Sequence, residues 1–162
     1  MSDPHPGLSP NTGESLPPAS HIERLELAIV DYLKPHLPND VTVMAQVDDP
    51  DHFDISNCDR VVMVHFAQNT PIGHRDRLAG TTGFALICLA KQLRGAMGGY
   101  ALVELVEKAM ASAELPGSTA FAVKRSKLDA QVGGLWRWIV EVETETVRGC
   151  VKSPAAAFIP QN

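Results

Sequence analysis

Apolar positions along the chain recur with two periods. Ile22, Leu25, Ile29 and Leu33 follow one another every three or four residues, the spacing of one helix face. Ser20 and Glu23 stand just ahead as an S-x-x-E capping box, in which the hydroxyl accepts an early helix amide and the Glu returns to the cap amide. Pro35 and Pro38 close the segment, so a helix is expected over 21–34. A second is expected over Tyr100–Glu114, with Leu102, Val106, Ala109 and Met110 on one stripe and Glu104, Glu107 and Lys108 outward. Elsewhere the period falls to two. Val41–Val47, Arg60–Gln68, Thr81–Leu93, Phe121–Leu128 and Leu135–Val147 read as strands, the third with a bulge or bend near Gly83. Residues 48–59 read as an acidic loop and 69–80 as a polar one. The order is α-β-β-β-α-β-β. Links among the first three strands are too short for helical crossovers, so most pairing is expected to be antiparallel. The expected fold class is α+β: a mostly antiparallel sheet of about five strands with two helices packed on it.

The two faces of these strands are unequal. In the last strand Trp136, Trp138, Val140 and Val142 oppose Arg137, Glu141 and Glu143, with Ile139 among the latter, as in a half-solvated strand. The middle strands are apolar on both faces. Val62, Val64 and Phe66 oppose Val61, Met63 and Ala67; Phe84, Leu86 and Cys88 oppose Ala85, Ile87 and Leu89. Two helices naturally cover one face. The other needs a second cover, supplied either by this chain's own segments or by a neighbouring subunit.

Both ends differ from the middle. Residues 1–19 carry Pro4, Pro6, Pro10, Pro17 and Pro18 with almost nothing apolar, a composition that makes neither helix nor central strand. They are expected to form a flexible arm ahead of a domain over 20–147. Residues 148–162 form a tail with Pro154 and Pro160 around an Ala run, keeping Phe158 and Ile159 as docking candidates.

Composition narrows the function classes. The 162 residues suit one domain. A net charge of -5 argues against free nucleic acid as the main ligand. No apolar run is long enough to span a bilayer, and the first residues lack a secretory pattern. Cys58, Cys88 and Cys150 form neither a C-x-x-C pair nor an even set, so free thiols in a reducing cytosol are expected.

No motif carries sharp chemistry. Asp48, Asp49, Asp51 and Asp54 invite a calcium reading, but the loop has no Gly at its sixth position, and counted from Asp49 it ends on Arg60 instead of Glu. A solvated charged loop fits better. Gly95, Gly98 and Gly99 precede a helix as a phosphate loop does, yet the Lys-Ser/Thr that would follow is missing; a tight turn admitting positive φ is expected. There is no G-x-S-x-G elbow, and no Cys has a local His partner. An enzyme would need a pocket with perturbed titratable groups, and His65 or His74 would be tested first. No catalytic residue, metal ligand or cofactor is assigned. His74, Arg75, Asp76 and Arg77 form a charged patch that serves solubility or pairs with an acidic partner surface. Trp136 and Trp138 serve core packing or an interface hot spot. These six are the interface candidates.

The pattern resembles a known family. Ile22 to Val30, Val61 to Phe66, Phe84 to Leu93, Tyr100 to Val106 and the closing Gly134-Leu135-Trp136-Arg137-Trp138-Ile139-Val140-Glu141-Val142 are together similar to the tail-protein family of Mu-like bacteriophages and prophages. More broadly they resemble the tail terminator proteins of long-tailed phages. The likeness spans about residues 20–147; the Pro-rich arm and the C-terminal tail depart from it. It implies a structural virion protein, not an enzyme, made in the bacterial host cytoplasm and resident in the virion tail. It implies a homohexameric ring at the head-proximal end of the tail tube, which ends tube polymerisation and offers a surface for head joining. The partners implied are other copies of itself, the tail tube protein and a head-completion or neck protein, with DNA only passing through the lumen and no membrane. Six copies at -5 sum formally to about -30; charge lining the lumen would repel DNA phosphates. The alternatives are another head–tail joining or minor tail protein, and a small cytosolic enzyme.

Overall fold

Ser20 starts the first element as its capping pattern requires: its hydroxyl accepts the Glu23 amide at 3.1 Å. The computed structural model describes residues 20–47, 54–74 and 77–148. The arm over 1–19 and the tail beyond Arg148 lie outside them. So do most of the acidic loop (residues 48–53) and the pair Arg75 and Asp76. The elements are α1 (His21–His36), β1 (Val41–Ala45), β2 (Arg60–His74), β3 (Arg77–Ala90), α2 (Gly99–Ala111), β4 (Ala122–Val132) and β5 (Leu135–Arg148). The fold is α+β, in the order the periodicity predicts.

The five strands form one sheet in the order β1-β2-β3-β5-β4. The pairs β2–β3, β3–β5 and β4–β5 are antiparallel. β1 differs: it runs parallel to β2, Val43 opposite Val62. Residues 46–59 carry the chain back along the sheet to make this possible, a crossover of the length parallel strands require. Arg60 anchors the return. It is 2% exposed, and its guanidinium forks onto both oxygens of Asp40, Nε to Oδ2 at 2.8 Å and Nη2 to Oδ1 at 2.9 Å. This charge-assisted pair joins the start of β1 to the start of β2. It also holds the Asp40 carboxyl below the usual carboxylate range.

Several features differ from the periodic reading: β1 ends at Ala45, β3 at Ala90 and α2 at Ala111, each a few residues early, and β4 runs on to Val132. α1 runs two residues further, to His36, with Pro35 inside its last turn; proline loses one amide there, and the Leu37 amide still reaches the Leu33 carbonyl at 3.0 Å. Residues 69–80 are not a loop. β2 and β3 stay paired from Asn69↔Thr82 out to His74↔Arg77, a ribbon whose polar sequence shows no apolar alternation. The bend expected near Gly83 appears in the facing strand, where the register shifts between Phe66 and Gln68, opposite Phe84 and Gly83.

Both helices lie on one face. Leu25, Ile29 and Leu33 of α1 and Leu102, Val106 and Met110 of α2 share a core with Val62, Val64, Phe84, Leu86, Cys88, Trp138, Val140 and Val142. Phe66 and Phe84 meet edge to face with ring centroids 6.1 Å apart, and the Tyr32 hydroxyl donates to the Ala109 carbonyl at 3.1 Å, tying α1 to α2. Beyond the helices the same face turns polar but stays satisfied: buried Thr82 and Thr146 pair through their hydroxyls at 3.2 Å, and buried Thr144 donates to the Thr119 carbonyl at 2.8 Å.

Candidate assembly interface

The sheet's second face carries no helix among the described residues. Strand alternation sends Val61, Met63 and His65 of β2, Ala85, Ile87 and Leu89 of β3, and Arg137, Ile139 and Glu141 of β5 to it. Cross-strand register then sorts them into rows. Val61, Leu89 and Arg137 lie side by side; so do Met63, Ile87 and Ile139; so do His65, Ala85 and Glu141. The face therefore grades from apolar at one end to polar at the other.

The apolar end is partly covered by this chain. Ile55, on the return from β1 to β2, helps to bury it, and Val61 is 2% and Leu89 6% exposed. Asp54 accepts the Ser56 amide at 2.8 Å, and the Cys58 amide reaches the Ile55 carbonyl at 3.0 Å, which shapes this stretch. A depression of about 260 Å³ remains, lined by Gln46, Val47, Ile55, Met63, Ile87, Leu89, Val132, Leu135 and Arg137. It continues into a second of about 540 Å³ beside Ile55, Lys91 and the Gly133-Gly134 turn. Met63, Ile87 and Ile139 stay only half-buried, and Val132 at the groove wall is 52% exposed. Contiguous apolar surface of this kind marks a contact site in soluble proteins.

Charged residues border the groove and are mostly paired. Arg125 forks onto Glu141, with Nη2 to Oε1 at 2.6 Å; that contact pulls the Glu141 carboxyl below its ordinary range. Arg137 Nε donates to Asp129 at 2.7 Å, and Lys91 Nζ to Asp59 at 2.9 Å. Exposed pairs like these add little stability but fix the charge pattern a partner meets.

The interface candidates scatter. His74 and Arg77 face each other as the last described pair of the β2–β3 ribbon, while Arg75 and Asp76 lie outside the described residues. Trp138 is 3% exposed. It meets the Tyr100 ring at 6.1 Å and presses so closely on Gly99 that a Cβ there would sit 1.8 Å from the indole. Trp138 thus takes the core-packing role, and Trp136 is half-buried at the rim of the same core. Of the Gly95–Gly99 run only Gly95 uses positive φ, at +86°; Gly99 serves close approach. His65 is exposed on the open face. Glu26 on α1 is pushed above its ordinary range by burial, with His65 working against the shift. Burial pushes the Cys88 thiol up to about 12, which removes it as a nucleophile. Among the described residues no group of three or more His, Cys, Asp or Glu is placed to hold a metal ion, and no described helix is long and apolar enough to cross a membrane.

Sequence reasoning missed the groove walls. Ile55 sits in an acidic stretch, and Val132 follows what reads as the strand's end. The signal available was the two-sided apolar pattern of β2 and β3.

A sheet covered by two helices on one side, with no helix on the other among the described residues, defines an α+β layer protein. The same fold occurs in a chain of the virion of a native gene transfer agent particle: TM-score 0.51, 14% identity, covering 76% of this chain and 94% of that one. The Gp37 protein family matches residues 29–152, more than half of the sequence, and the chain belongs to that family. No curated protein sequence matches it.

Proposed function

We propose that this chain is a structural component of a phage or gene-transfer-agent virion, and within it the tail terminator: a ring, homohexameric in the simplest form, that caps the head-proximal end of the tail tube, stops its growth and prepares head joining. The observation that carries the reading is the half-open apolar row Met63, Ile87 and Ile139 on the uncovered sheet face. Leaving such a row in water is unfavourable, and a neighbouring copy in a closed ring would cover it through a heterologous contact. Family membership and the shared fold of a virion chain support the same reading. Its partners are then other copies, the tail tube protein and a neck or head-completion protein, with DNA passing through the lumen. The 20–147 segment is the ring-forming domain, flanked by the arm and the tail. The charged patch His74, Arg75, Asp76 and Arg77 would pair with an acidic partner surface.

The test is deletion of the gene followed by negative-stain imaging of induced lysates. Tails of abnormal, variable length without heads are expected. Tails of normal length detached from heads would replace the terminator with a joining protein. Intact particles in normal number would overturn the virion role.

A further inference from the structure

The groove on the open face needs an occupant, and the chain supplies one outside the described residues. Residues 149–162 contain two large neighbouring apolar side chains, Phe158 and Ile159, set between Pro154 and Pro160. We infer that the C-terminal segment of one copy docks Phe158 and Ile159 into the groove between Ile55, Val132 and Leu135 of a second copy.

Reach decides between the same chain and another. β5 pairs with β3 up to Leu78↔Arg148, at the far end of the sheet from Leu135. The thirteen strand steps back from Arg148 to Leu135 span about 43 Å. The ten residues from Arg148 to Phe158, fully extended, span about 36 Å at most. The segment must also reverse direction before it starts. Phe158 therefore stops short of the deep end of its own groove, whereas a neighbouring copy is free to present that groove within reach.

Chemistry agrees with geometry. The groove lining is chiefly aliphatic, which suits a Phe-Ile pair. Residues 148–162 carry Arg148 and Lys152 and no acid. At the groove mouth Lys91 is matched by Asp59 and Arg137 by Asp129, while Asp54 pairs with no cation among the described residues. The rim thus keeps an acidic excess for a basic segment. Two prolines reduce the conformational freedom the segment gives up on docking.

This deepens the ring reading and rests on it only in requiring that two copies meet. The full chain is used, with Cys58→Ser and Cys150→Ser; Cys88 stays, being fully buried. One preparation carries Val132→Cys and the other Ala157→Cys with a mass tag. Mixed and oxidised, they are expected to give a disulfide-linked heterodimer, and adding Phe158→Ser to the second chain should lower its yield at least several-fold. Leu128→Cys, equally exposed but on the helix-covered face, should give none. A chain carrying both introduced cysteines, diluted into chain that carries neither, should not close on itself. Closure within one chain, equal linking to Leu128→Cys, or no heterodimer overturns the inference. Sedimentation velocity on the same samples separates the two failures: rings without the link refute tail exchange alone, and monomers refute self-assembly with it.

Discussion

The two faces of the sheet are built from the same strands, one residue out of phase, and they behave differently. On the helix side Val62, Val64, Leu86, Cys88, Val140 and Val142 are wholly shielded from water. On the other side Met63, Ile87 and Ile139 occupy the adjacent strand positions and remain half-open. Hydrophobic content alone does not distinguish them. What differs is that, among the described residues, both helices cover the first face and neither covers the second. An apolar residue left uncovered in a short, regular sheet points to a surface completed by something else.

The sharpest way to break this comparison is to truncate both faces alike. Phe84→Ala should cost about 4 kcal/mol, since it empties a site with no access to water. Ile139→Ala should cost about 1 kcal/mol in the isolated chain, because only part of its area is buried, while weakening self-association. Urea denaturation of both variants measures the contrast. Equal losses would mean the open face is already sealed within one chain. A smaller effect follows from Gly99→Ala. Its Cβ must displace the Trp138 ring, and overpacking of this kind should cost about 3 kcal/mol, with a change in tryptophan emission as readout; unchanged emission would place the indole elsewhere.

The Asp40–Arg60 ion pair sharpens the comparison further, because it ties the start of β1 to the start of β2, five residues after Ile55 at the groove. Asp40→Ala would leave Arg60 buried without its anion. The expected loss is about 2 kcal/mol, below the range for fully buried pairs because Asp40 keeps 35% of its side chain in water. Since folding depresses the Asp40 pKa, its contribution is complete above the ordinary value of about 3.9 and disappears as pH falls through the lower folded value. Asp40→Asn should therefore flatten the acid limb of the stability curve. An acid limb as steep as the parent's would show that other carboxylates set it.

Much of this architecture is legible in the sequence where two signals coincide. α1 has both a cap and a period: Ser20 and Glu23 fix its start, and Leu25, Ile29 and Leu33 its buried face. The outer half of the β2–β3 ribbon has neither. Residues 69–80 carry no apolar alternation, and Pro71 with Gly73 and Gly80 imitates a loop. The direction of β1 was hidden for another reason. The sequence between β1 and β2 has no apolar periodicity, and the buried Arg60 at the start of β2 reads as an ordinary surface charge. The second sheet face is half legible. The two-sided apolar strands announced an unmet need for cover, but alternation cannot tell that Ile55, from an acidic stretch, meets part of it. Charge density drew attention to His74–Arg77 and size to the tryptophans; yet Trp138 is held inside, because only Gly99 leaves room for its ring.

One topological fact has a temporal side. β4 hydrogen-bonds only to β5, and β5, the last strand in chain order, is inserted between β4 and β3. On the ribosome the chain appears from its N-terminus, so the early elements α1, β1, β2 and β3 can associate while β4 waits without a neighbour. The sheet closes only when residue 148 has emerged. Products that end before residue 135 therefore lack the strand that joins β4 to the rest of the sheet, and with it Leu135 and Ile139.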